Sequence, residues 1–150
     1  MNPDSNLTAL ARNNRTCMIA HTATAGVMLL LLFLQAATRG INPAVLTISC
    51  ILGIAPVAAE LLYWRKNHET TAIRHLVGNG FAVFFTFYIY TSTTFMASVF
   101  VIPMIVVISL YNNKKFSLLV NTGVVIETII LAVIGIQSGK YSYPDSDTAI

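Results

Sequence analysis

The sequence alternates long apolar runs with short polar connections. Five apolar runs lie between residues 17 and 137, and none contains more than one Asp, Glu, Lys or Arg. The third and fourth runs lie back to back within residues 73–112, separated only by residues 91–94. Each of these two has about 17 residues, roughly 26 Å as a helix, which just spans a hydrocarbon core of about 30 Å. The pattern therefore predicts membrane-spanning helices.

From these runs we expect an all-α fold, a polytopic transmembrane helical bundle with five spans. A polar N-terminal tail (residues 1–16) precedes the membrane domain (residues 17–137), and a polar C-terminal tail (residues 138–150) follows it. Five crossings leave the two chain ends on opposite sides of the bilayer. We therefore expect a sixth span to follow in a longer native protein.

Two prolines lie inside the predicted spans, Pro56 in the second and Pro103 in the fourth. A proline inside a helix removes one backbone hydrogen bond and kinks the helix. We predict a helix bend at each of them. Pro43 instead suits the first turn of the second span, where its missing N–H has no helical partner to lose.

Composition excludes a water-soluble domain. The chain has 150 residues, of which 55% are hydrophobic and 10% charged, and its mean hydropathy is +0.70. It is too short for more than one membrane bundle. The net charge of +3 does not indicate nucleic-acid binding, since no run of Lys and Arg exceeds two residues. Cys17 and Cys50 lie at the start of one span and inside another, which favours reduced, structural thiols.

Basic residues divide unequally between the two sides of the predicted bundle. One side receives seven of the nine Lys and Arg residues and the other receives Arg39 and Lys140. The seven are Arg12, Arg15, Arg65, Lys66, Arg74, Lys114 and Lys115. The positive-inside rule then places the N-terminus in the cytoplasm and the end of this chain outside the cell membrane.

Four polar side chains lie four or five residues inside their spans, roughly 6–8 Å from the cytoplasmic end. They are His21, Glu60, Asn79 and Asn121. An unpaired carboxylate in hydrocarbon is unfavourable, so Glu60 needs a partner, which His21 or one of the amides can supply. Two interpretations stay open: a proton- or ligand-responsive polar layer, and structural bonding between helices, with Glu60 also able to reach the interface.

Glu127 lies near the midpoint of the fifth span, about 16 Å deep by the same rise. Thr86 lies at a similar depth on the third span, and Tyr88 and Ser98 lie about one turn further out. An intramembrane acid indicates a functional site. We predict that these four residues sense a ligand or signal, with a neutral, hydrogen-bonded structural Glu127 as the alternative.

Aromatic residues of the third span repeat at i, i+3, i+4 and i+7, at Phe81, Phe84, Phe85 and Tyr88. Such a stripe either lines a pocket for an apolar or planar ligand or packs in the core.

Motifs of soluble enzymes are missing from the sequence, which holds no Walker loop, GxSxG, HExxH or CxxC. His68, Glu69 and His75 form a loose polar group that is typical of a solvated connection rather than a metal site. We therefore expect no enzymatic activity, no cofactor and no metal.

Three segments within residues 60–135 resemble a known family. They are GNGFAVFFTFYIYTSTT, FVIPMIVVISLYNNKKFS and VIETII, and the likeness is clearest at residues 80–81, 102–104, 110–111 and 115–116. They are similar to the N-terminal multi-span membrane region of methyl-accepting chemotaxis proteins and related sensors of Firmicutes bacteria. In that family six spans usually precede a long cytoplasmic helical signalling domain, or sometimes a cyclic-dinucleotide synthase. This sequence carries neither the sixth span nor an output domain, so the resemblance implies an input role alone.

Two functional hypotheses follow. The first is a membrane-embedded sensory input module, a homodimer whose stimulus is a small or lipid-soluble ligand, the proton motive force or the state of the bilayer itself. The second is a small oligomeric transporter or channel with Glu127 in its pathway. A membrane-embedded enzyme is the weakest hypothesis, because only His21, Glu60 and Glu127 lie at depth to act as catalytic groups.

Overall fold

The computed structural model describes residues 8–91, 99–109, 111, 114–137 and 139, and over these residues the chain is all-α, as predicted. Every regular element in the described part of the chain is a helix. The helices are α1 (Ala9–Arg39), α2 (Pro43–Lys66), α3 (Ala72–Thr91), α4 (Val101–Ser109) and α5 (Lys114–Gln137).

Four of the helices, α1, α2, α3 and α5, are long and apolar enough to cross a membrane. The protein therefore has the character of an integral membrane protein. The described part of α4 has nine residues, about 14 Å at 1.5 Å per residue. Residues 95–98 of the predicted fourth span lie outside the described residues.

The first helix begins before the predicted span. α1 starts at Ala9, whereas the sequence indicated a polar tail up to residue 16. Thr8 caps the helix, because its hydroxyl accepts a hydrogen bond from the Ala11 amide at 3.3 Å. Ala11 and Asn14 are buried against the rest of the protein, so these polar first turns are held by tertiary packing. Hydropathy does not register that packing.

At the centre of the bundle lies α3, which contacts each of the other four helices. Its buried face carries the predicted aromatic stripe, and Phe81, Phe84 and Phe85 have no exposed surface. Phe81 stacks on Phe85 with ring centroids 5.2 Å apart. Tyr88 packs edge-on against Phe84 and Phe100, each at 6.2 Å. The stripe is therefore core packing in this structure.

Outward faces of the helices are strongly apolar. Leu118 and Leu119 on α5 are 70% and 74% exposed. Large aliphatic side chains with this exposure are typical of a surface that lipid covers.

One end of the bundle gathers the starts of α1, α3 and α5 and the end of α2. Asn14 of α1 bonds to the connection between α2 and α3, and the Arg74 guanidinium of α3 lies 4.9 Å above the ring of Phe116 in α5. The seven basic residues that the sequence assigned to one side therefore share one end of the fold, and Arg39 lies at the other.

Both predicted bend prolines lie within helices. α2 continues through Pro56 from Pro43 to Lys66, and Asn42 caps its start by accepting from the Ala44 amide at 2.9 Å. Pro103 lies in the first turn of α4 as described, a position that tolerates proline because the N–H groups there lack helical partners. The bending role of the two prolines stays a prediction.

Candidate functional site

A histidine and a glutamate meet in the core between α1 and α2. His21 lies on α1 and Glu60 on α2, and neither residue has exposed surface. Nδ1 of His21 is 2.6 Å from Oε1 of Glu60, a length typical of a hydrogen bond strengthened by charge. Of the partners open to Glu60 from the sequence, His21 is the one that the fold provides.

Residues of α3 pack against this pair and enclose it on a third side. The ring of Phe81 meets the imidazole of His21 edge-on, with centroids 6.2 Å apart. A Cβ placed on Gly80 would lie 3.5 Å from Cε1 of His21 and 2.5 Å from Cβ of Pro56. Glycine at position 80 thus lets α3 approach α2 closely enough to seal the pair from lipid.

The hydrogen bond between His21 and Glu60 uses one polar atom of each side chain and leaves the other polar atom of each without a partner in the described part of the chain. Nε2 of His21 and Oε2 of Glu60 are buried, and the described residues offer neither atom a hydrogen-bond partner. Each such atom costs about 1–3 kcal/mol. Gain or loss of a proton would change the net charge of the pair, which is unfavourable in a core of low polarity. The arrangement can therefore couple a change of protonation, or binding of a polar group, to the packing of three helices.

Asn79 and Asn121, predicted to share a layer with this pair, lie elsewhere. Asn79 is exposed on α3 and lines a groove between α2 and α3. Asn121 is half-buried on α5, and its amide nitrogen lies 3.4 Å from the hydroxyl of Ser109 in α4. His21 and Glu60 contact each other, whereas Asn79 and Asn121 lie on other faces of the bundle.

Glu127 meets Thr86 at the contact between α5 and α3, and both side chains are half-buried. The Thr86 hydroxyl also lies 2.7 Å from the carbonyl oxygen of Ala82. A hydroxyl has one hydrogen, so Thr86 donates to one of these two oxygens at a time. Tyr88 belongs to the aromatic core, and Ser98 lies outside the described residues.

Asn14 is a buried polar residue that the sequence did not single out. Its side-chain amide donates to the carbonyl oxygens of His68 at 2.9 Å and Thr70 at 3.0 Å. A signal was present, because Asn14 lies seven residues before His21 and eleven before Ala25, on the buried face of α1. It was hidden because position 14 lies outside the apolar run.

Metal binding finds no support in the described ranges, where no group of three or more His, Cys, Asp and Glu side chains is close enough to hold an ion. His68 packs on Trp64 with centroids 4.2 Å apart, and His75 packs on Phe116 at 5.2 Å. The loose polar group is thus organised around aromatic rings. Cys17 and Cys50 are not joined in a disulfide.

Fold and site together define a class: an all-α membrane bundle with an ionisable pair sealed in its core. No family model, curated protein or solved structure matches the chain. The functional argument therefore depends on the arrangement of these side chains.

Proposed function

We propose that the chain is the membrane-embedded input module of a bacterial signal-transduction receptor of the chemotaxis type. The observation that carries this proposal is the buried pair of His21 and Glu60, which joins two helices where no lipid or bulk water reaches. In many proteins, apolar residues can replace a buried ionisable pair without loss of stability. Holding helices together therefore does not by itself require such a pair. A signal-responsive role explains why an ionisable pair occupies this position.

Position in the bundle supports the same role. The pair touches α3 through Gly80 and Phe81, and α3 contacts α1, α2, α4 and α5. A change in the hydrogen bond between His21 and Glu60 therefore acts on a helix that meets all the others. A stimulus shifts such a bundle only by as much as its affinity differs between two packings. The resemblance to chemotaxis receptors supports an input role. We also propose that the chain forms a homodimer, which the exposed apolar face of α5 allows.

The test joins the chain, through one added transmembrane helix, to a known cytoplasmic output domain. Glu60→Gln keeps the size of the side chain and removes its ionisable group. We expect this variant to change the basal output by about fivefold or more, the low end of typical coupling energies between sites. His21→Gln should change the output in the same direction, because it breaks the same pair.

Glu69→Gln is the matched control, because Glu69 is an exposed carboxylate in the connection between α2 and α3. It should leave the output unchanged. A folded Glu60→Gln variant with the output of the parent chain would remove the pair from the mechanism.

A small oligomeric transporter or channel is the second candidate, and the contact of Glu127 with Thr86 favours it, since it places an acid and a hydroxyl between two helices in mid-bundle. The two functions separate in liposomes. A transporter shows ion or solute flux that Glu127→Gln abolishes, whereas an input module shows no flux in either form.

A further inference from the structure

A groove of about 690 Å³ runs along the outer surface between α2 and α3. Its α2 side is a stripe of residues at helical spacing, with the small side chains of Ala55 and Ala59 leaving the space that forms it. The contact of Gly80 with Pro56 closes its floor. The groove is open to the surroundings on one side, so a molecule of the bilayer can enter it.

The polar residues of this groove lie toward one of its ends. Tyr63 and His75 lie at its basic end, and both are exposed. Lys66 lies one turn beyond Tyr63 on the same face of α2 and is exposed. Asn79 lines the groove one turn deeper than His75, about 6 Å along α3. Beyond Asn79 the lining is apolar.

Charge at this end favours an anion. Residues 65–75 carry Arg65, Lys66 and Arg74 against one carboxylate, Glu69. Arg74 is directed onto the ring of Phe116 in α5, so Lys66, one turn beyond Tyr63 on the same face of α2, is the cation placed toward the groove. A basic pocket between transmembrane helices is a site at which lipid head groups bind.

We propose that this groove binds one molecule of an anionic phospholipid. The order of the lining matches the order of groups in such a lipid. The phosphate lies at Lys66 and His75, the glycerol ester lies beside the amide of Asn79, and one acyl chain lies along Ala55, Ala59 and Gly80. The bound chain then rests against Pro56 and Gly80, which wall the pair of His21 and Glu60. This inference stands whether or not the chain is an input module.

The experiment is native mass spectrometry of the purified full chain with phosphatidylglycerol and phosphatidylcholine of identical acyl chains. We expect a clear preference for phosphatidylglycerol at a stoichiometry of one. Lys66→Gln should lower the affinity for phosphatidylglycerol about fivefold, the loss expected for one basic side chain beside an anionic head group. The affinity for phosphatidylcholine should not change.

Two matched controls define the site. Arg15 is a basic residue at the same end that lines a separate groove between α1 and α2, so Arg15→Gln should retain the preference. Ala59→Leu should fill the groove and weaken binding of phosphatidylglycerol, whereas Ala58→Leu, on the neighbouring exposed position outside the groove, should not. All four substituted positions are exposed or half-buried. Circular dichroism checks the helix content of each variant.

Three results would overturn the proposal. They are equal binding of the two lipids by the parent chain, a preference that Arg15→Gln removes and Lys66→Gln does not, and equal binding by the Ala59→Leu and Ala58→Leu variants. The first would show only the lipid shell that surrounds any membrane protein.

Discussion

Gly80 sets the distance between α2 and α3. A methyl group at this position would lie 2.5 Å from Cβ and 3.0 Å from Cγ of Pro56. Neither atom belongs to a flexible chain end, because the proline ring is fixed to its backbone. The close approach of the two helices, and with it the enclosure of His21, therefore depends on a single missing side chain.

We predict that Gly80→Ala lowers stability by about 1–3 kcal/mol, the usual cost of overpacking. Gly26→Ala is the control, since a Cβ there meets nothing within 4 Å, and it should be neutral or slightly stabilising because alanine favours helix. In a Cys50→Ala background, a thiol-reactive fluorophore reports unfolding when buried Cys17 becomes accessible on heating. Equal melting of the two variants would contradict this account.

At the scale of elements, the first turns of α1 act as a clamp on the connection between α2 and α3. Asn14 donates two hydrogen bonds to that connection, which also carries its own side-chain bonds from the amide of Glu69 to Asn67 and from the amide of Ala72 to Thr70. The sequence distance from Asn14 to His68 is 54 residues. The clamp therefore fixes the relation of three helices at their shared end.

Asn14→Ala should destabilise this end by about 1–3 kcal/mol, because it removes two hydrogen bonds between α1 and the connection. Hydrogen exchange followed by mass spectrometry should show faster exchange at residues 67–72, with α5 unchanged. Thr16→Ala, an exposed position two residues along α1, is the control. Unchanged exchange in the Asn14 variant would show that the connection holds its shape alone.

At the scale of the whole molecule, the distribution of charge gives the bundle a polarity. Seven basic residues lie at one end, and Arg39 lies at the other among the described residues. Basic residues near the ends of spans remain preferentially in the cytoplasm during insertion. The fold therefore carries an orientation signal that several helices share.

We expect the basic end to face the cytoplasm. In a Cys17→Ala, Cys50→Ala background, single cysteines are placed by His68→Cys at the basic end and Thr38→Cys at the opposite end, both at exposed positions. A membrane-impermeant thiol reagent should label the Thr38 variant in intact cells and the His68 variant only after permeabilisation. Labelling of the His68 variant in intact cells would reverse the orientation.

The helices could be predicted because each depends mainly on the composition of its own segment. A long apolar run must bond its own backbone to lie in lipid, so four crossing helices follow from composition. The second apolar run ends at Trp64 and the fifth begins at Phe116, and α2 ends and α5 begins within two residues of these positions. α1 departs from its prediction by eight residues, since its first turns are polar and are held by Asn14 and its partners.

The sequence by itself determined that this is an all-α membrane protein, how deep each polar residue lies along its helix, and which end is basic, because rise per residue and hydropathy are properties of each segment alone. Only the tertiary structure decided that His21 meets Glu60 while Asn79 lies in an outer groove. Each residue turns the helix by about 100°. Which face points inward depends on the neighbour, here on the contact of Gly80 with Pro56, and no single segment encodes that contact.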